Sequence, residues 1–133
     1  VALKKTILLF VTLFCACIMS LSGCSQEVAD DVALSQNVKV ELVDWHISGL
    51  WVINAPVCWI RVINYNRVPI KDVTIAYQTY DFDGKLLDQG TYTMDGDVGP
   101  GSVRNFMEQY VGIVKVESDK IAIQLHSVQP ASE

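Results

Sequence analysis

The chain has 133 residues, half of them hydrophobic, and 15 acidic against 10 basic residues give it a formal charge of −5. That length holds one small domain. An acidic balance argues against nucleic acid as a partner and against direct adsorption to anionic lipid.

The first 23 residues read as an export signal. Lys4 and Lys5 form a short positive start, and residues 6–19 form an apolar stretch that ends in the small polar residues Ser20, Ser22 and Gly23. Charge, apolar core and small-residue cut site come in the order of a secretory signal. A membrane span needs about 20 apolar residues, and this run stops short of that. Leu21-Ser22-Gly23-Cys24 then resembles the lipobox of bacterial lipoproteins. The resemblance implies transfer of diacylglycerol to the Cys24 thiol, cleavage between Gly23 and Cys24, and acylation (palmitate) of the new N-terminus. Two or more acyl chains hold a protein firmly at a bilayer, so the membrane is an expected partner through Cys24. Ser25 is not Asp, which by the family's sorting rule favours the periplasmic face of the outer membrane in a Gram-negative envelope. Removing residues 1–23 leaves 8 basic against 15 acidic residues, a formal −7. Cys15 and Cys17 leave with the signal and Cys24 is consumed, so Cys58 is the remaining thiol and no internal disulfide is expected. Cys58 sits in an apolar run, which predicts a small buried hydrophobe.

Residues 24–37 are polar, acidic and free of aromatics, the composition of a flexible tether. Residues 38–128 carry period-two alternation and form the domain, with a short tail over 129–133. Strands are predicted over 38–42, 57–64, 73–77, 86–94, 103–110 and 120–126, with short edge strands over 51–53 and 113–116. Asp83-Gly84 marks a hairpin, and Gly99-Pro100-Gly101 marks a turn. The fold class is all-β: a small antiparallel, immunoglobulin-like sandwich of about six to eight strands.

Two patches resemble the bacterial FxLYD-type domains, small immunoglobulin-like sandwiches of exported lipoproteins. One is Val62-Ile63-Asn64 followed by Val68-Pro69-Ile70-Lys71-Asp72-Val73. The other is Tyr77-Gln78-Thr79-Tyr80-Asp81 followed by Asp83-Gly84. Tyr80 and Asp81 match the signature, whereas Tyr77 and Thr79 stand where it has Phe and Leu. Gly99-Pro100-Gly101 and Phe106 fit the later turn and strand. The resemblance implies a fold and no activity.

No residue set carries recognisable catalysis, so the chain reads as a non-enzyme without cofactor or metal. Asp81, Asp83, Asp88, Asp95 and Asp97 are oxygen donors near two turns, but they lack EF-hand spacing. His46 and His126 have no tightly spaced companions for zinc. Ser102 follows Gly-Pro-Gly, which is turn chemistry rather than a nucleophile elbow.

Trp45, Trp51 and Trp59 fall within fifteen positions and serve either the core or a binding surface. Along residues 57–64 one row is Cys58, Ile60, Val62 and Asn64. The other is Val57, Trp59, Arg61 and Ile63. An unpaired buried charge is costly, so the Arg61 row faces out. Trp59, Arg61 and Ile63 are therefore the candidate binding residues, unless residues 45–53 fold over them. The expected role is a lipid-anchored envelope module, monomeric, that binds a protein partner or has a structural role. Carbohydrate or peptidoglycan binding through exposed aromatics is the alternative.

Overall fold

The computed structural model describes residues 26–50 and 53–131. The expected export signal, the expected cleavage position Gly23–Cys24, the expected lipidation residue Cys24, and Trp51 lie outside the described residues.

Helix α1 spans Gln26–Gln36, and six strands follow: β1 Val38–Leu50, β2 Ile53–Asn64, β3 Ile70–Tyr80, β4 Leu86–Met94, β5 Val103–Tyr110 and β6 Lys120–Pro130. They form two three-stranded antiparallel sheets, ordered β1-β2-β5 and β4-β3-β6. The architecture is the small antiparallel β-sandwich expected from the alternation. Ile60 and Val62 of β2 meet Ile70, Val73 and Ile75 of β3, with Met94, Val98, Phe106, Val111 and Val128 closing the core. Cys58 is buried in the same cluster.

Two turns follow their sequence chemistry. Gly84 has φ +84° in the β3–β4 hairpin, where Asp81 Oδ1 accepts the Lys85 amide at 2.8 Å. Gly101 has φ +62° in the turn before β5.

The structure differs from the sequence reading in several places. Residues 26–36 are helical where a tether was expected. The helix end is capped by Asn37, which donates its side-chain amide to Ala33 O at 3.2 Å, and is tied to the domain by Asn66 Nδ2, which donates to Leu34 O at 3.0 Å. Strand β1 continues eight residues beyond Leu42, because a register slip between Leu42 and Asp44 absorbs Val43 and restarts the alternation. The predicted edge strand over 113–116 is a single bridge between Val114 and Asn54.

Candidate surface site on the outer face of the first sheet

Alternation along β2 sends Asn54, Pro56, Cys58, Ile60, Val62 and Asn64 into the sandwich, and all six are buried. The opposite row is Ile53, Ala55, Val57, Trp59, Arg61 and Ile63. Trp59, Arg61 and Ile63 are brought together on the outer face and are half-buried. Val57 belongs to the same row but is buried among its neighbours.

Register extends this row sideways. On the β5 side, Val103 pairs with Ile63, Asn105 with Arg61, and Tyr110 with Val57. Met107 follows Asn105 by two positions and is exposed. On the β1 side, Lys39 pairs with Ile63, Glu41 with Arg61, Asp44 with Trp59, and His46 with Val57. The face is thus polar along β1 and apolar along β2 and β5. Ile53, Val103, Met107 and Tyr110 are each more than half exposed, and Ile113 at the same end is 68% exposed. A stripe two strands wide and about ten residue steps long covers on the order of 300 Å². That is the scale of the largest apolar patch on an ordinary monomer, which is often a functional surface.

The polar groups on this face are arranged in two sets. Asn105 Oδ1 accepts from Trp59 Nε1 at 3.2 Å and from Arg61 Nε at 3.3 Å, so one amide fixes both side chains. Glu41 takes both cations: Lys39 Nζ stands 2.8 Å from one carboxylate oxygen, and Arg61 Nη1 stands 3.5 Å from the other. The hydrogen bond from Lys39 holds the Glu41 carboxyl below its usual range. Beside Trp59 lies a concavity of about 130 Å³ lined by Asp44, His46, Val57, Trp59, Met107 and Glu108 together with Trp45 and Cys58. Ligand pockets usually measure roughly 300–1,000 Å³, so this one suits a single side chain.

Residues 45–50 do not fold over the face. They run beside β2 as the second half of β1, and Trp45 pairs with Cys58 on the inward side, half-buried against the core. The two tryptophans among the described residues therefore divide, with Trp45 at the core margin and Trp59 on the outer surface. Sequence reasoning missed Val103, Met107, Tyr110 and the carboxylates Asp44 and Glu108. The alternation of β5 was visible, but which strand lies beside β2 was not.

The other candidate chemistry disperses. His46 lies on β1 and His126 on β6, in different sheets. Asp81 Oδ1 and Asp88 Oδ2 accept backbone amides of Lys85 and Lys115. Among the described residues no group of three or more His, Cys, Asp or Glu is placed to hold a metal ion. Burial pushes the Cys58 thiol up to about 11, so it carries little thiolate at neutral pH. The outer face of the second sheet has a shallow concavity of about 400 Å³ lined by Ala76, Gln78, Gln89, Thr91, Ala122 and Gln124, among others.

No family model matches the chain, and no curated protein matches it. Solved structures do. The structural-genomics target SoR45 is 14% identical, with 74% of this chain and 86% of that one covered and a TM-score of 0.44. A DUF1425 family member from Shewanella sp. pv-4 is 9% identical, with 67% and 76% covered and a TM-score of 0.41. The Salmonella enterica trimeric lipoprotein SadB is 11% identical, with 92% and 80% covered and a TM-score of 0.41. Likenesses this distant leave function to be read from the residues themselves.

Proposed function

We propose that this protein is a non-catalytic, lipid-anchored module of a bacterial envelope that presents the outer face of its β1-β2-β5 sheet to a protein partner. The observation that carries the binding role is the apolar stripe of β2 and β5, with Trp59, Arg61 and Ile63 at its centre. The lipobox-like residues 21–24 support the anchor, with Cys24 as the acylated residue and the periplasmic face of the outer membrane as its place in a Gram-negative cell.

A protein suits this face better than a sugar does. The apolar positions exposed beside Trp59 include Val103, Met107 and Tyr110, and the Asn105 oxygen and the Glu41 carboxylate are already engaged by Trp59, Arg61 and Lys39. The amide-rich concavity lies on the other sheet, where Tyr80 spends its hydroxyl on Gln78 at 2.6 Å.

Photo-crosslinkers placed at Val103, Met107 and Gln78 in living cells test the reading. Discrete adducts are expected from Val103 and Met107 and none from Gln78. Equal adducts from both sheets, or none from the first, defeat it. Cys24→Ala is expected to abolish palmitate labelling of the same protein; persistent labelling removes the anchor.

A further inference from the structure

We infer that the concavity beside Trp59 receives a lysine or arginine side chain of the partner, seated between Asp44 and Glu108. This rests on the reading of the face as a protein-binding surface and adds the chemistry of the segment it takes.

The electrostatics of the face lead to a cation. Five charged side chains surround its centre: Lys39, Glu41 and Asp44 on β1, Arg61 on β2, and Glu108 on β5. Both basic groups pair with Glu41. Neither Asp44 nor Glu108 has an ion-pair partner among the described residues, and both line the concavity. Asp44 uses one oxygen on the Trp45 amide at 2.9 Å, which leaves the other free. Glu41 offsets only one of the two cations, so the five side chains sum to a single negative charge, and the carboxylates outside any ion pair lie on either side of Trp59.

The walls suit the same guest. An indole face attracts a cation through its quadrupole, and a site between carboxylates adds to that attraction. Met107 and Val57 give the alkyl stem of a lysine or arginine apolar contact while its head reaches the carboxylates. The small volume admits one side chain. The apolar positions above and below, Ile63 and Val103 at one end and Tyr110 at the other, would take apolar residues flanking the basic one. An extended segment has the matching period, since alternate side chains point to one face.

Charge also separates this occupant from a second copy of the chain. A copy brings its own Asp44 and Glu108 to the contact, and the formal charge of −5 opposes approach. A basic segment is drawn in by the same field.

The test uses full-length protein in an uncharged detergent and a labelled seven-residue peptide, Ser-Val-Ser-Lys-Ser-Val-Ser, which when extended sets its lysine between two valines on one face. Its counterparts carry acetyl-lysine or glutamate. Fluorescence anisotropy is expected to show the lysine peptide binding about tenfold or more tighter than the acetylated one. The pair Asp44→Asn/Glu108→Gln should erase that difference without moving the melting temperature. The pair Asp81→Asn/Asp83→Asn, in the β3–β4 turn of the other sheet, should leave it intact. The inference falls if acetylation makes no difference, if both acid pairs weaken binding equally, or if no peptide binds. It also falls if sedimentation shows a dimer that Met107→Lys breaks, because the occupant is then a second copy. Adducts from Val103 and Met107 in cells, together with acetylated peptide bound as tightly as lysine peptide, leave the protein-binding reading standing and remove only the cation.

Discussion

At the residue scale, Asn64 shows how a single polar side chain sets the loops that frame this sandwich. It is fully buried at the inward end of β2. Its amide donates to Val68 O at 2.9 Å, Gly99 O at 3.1 Å and Val98 O at 3.2 Å. Its oxygen accepts from the Asn66 amide at 2.9 Å and from Asn66 Nδ2 at 3.0 Å. The turn after β2 and the turn before β5 are thus tied through one group. Asn64→Asp keeps the shape but removes the donor and sets a carboxylate against three carbonyl oxygens. It is expected to cost about 3 kcal/mol or more at neutral pH. The variant carboxyl, crowded by carbonyls, binds its proton more tightly folded than unfolded. Part of the loss should therefore return as pH falls and the protonated acid donates again. Chemical denaturation at pH 7 and pH 4 checks this; a midpoint like that of the parent at pH 7 contradicts it. The inward direction of Asn64 and the outward direction of Arg61 were legible from alternation and the cost of a buried charge. The partners of Asn64 were not, because Val98 and Gly99 lie 34 and 35 residues further along the chain.

At the scale of elements, departures from regularity decide what reaches the site. The slip at Val43 on β1 and the slip between Cys58 and Ile60 on β2–β5 both fall beside Trp59. They place Asp44 and Glu108 at the concavity, consistent with bulges re-aiming side chains. The same slips explain what the pattern of residues concealed. An alternation that skips a step at Val43 reads as the end of a strand, and the true strand continues to Leu50. Strands β4 and β5 have the predicted limits, while β3 and β6 run longer than their apolar centres. A close approach of side chain to backbone also fixes two glycines. Tyr77 points inward from β3 and lies against Gly90, its partner on β4, and against Gly112, which has φ +72°. A Cβ at Gly112 would collide with the Tyr77 hydroxyl and would also be held in the left-handed region. Gly112→Ala is expected to cost about 2–4 kcal/mol, combining backbone strain with overpacking. In the Tyr77→Phe background, which removes the colliding oxygen but keeps the ring carbon Cζ close by, the cost should fall while staying above the backbone part. An undiminished cost in that background would mean that the slot for Tyr77 is not the reason for the glycine.

For the whole molecule, helix α1 would determine how the domain stands relative to the anchor proposed at Cys24. Only Ser25 separates Cys24 from the first helical residue, Gln26. A flexible run of the 14 residues 24–37 would let the domain wander by roughly 20 Å from the anchor. An 11-residue helix instead spans about 16 Å along a fixed line. Its far end is tied down, since Leu34 packs against the core margin and the Tyr65 amide donates to Asn37 O at 2.8 Å. With acyl chains on Cys24, such a helix would limit which sheet face can point away from the bilayer. The helix was not legible in the sequence because it has a weak apolar stripe and is held at its end by residues about thirty positions later. Ala33→Pro separates a standoff from a tether. Proline in a helix interior removes a hydrogen bond and clashes with the preceding turn, at a cost of about 3 kcal/mol or more to the helix. The sandwich core lies elsewhere, so the melting temperature of the domain should fall little. Hydrogen exchange should show residues 31–36 protected in the parent and unprotected in the variant, with β2 and β3 unaffected. Unprotected amides over 31–36 in the parent itself would return this segment to a tether and free the sheet face to take any orientation at the membrane.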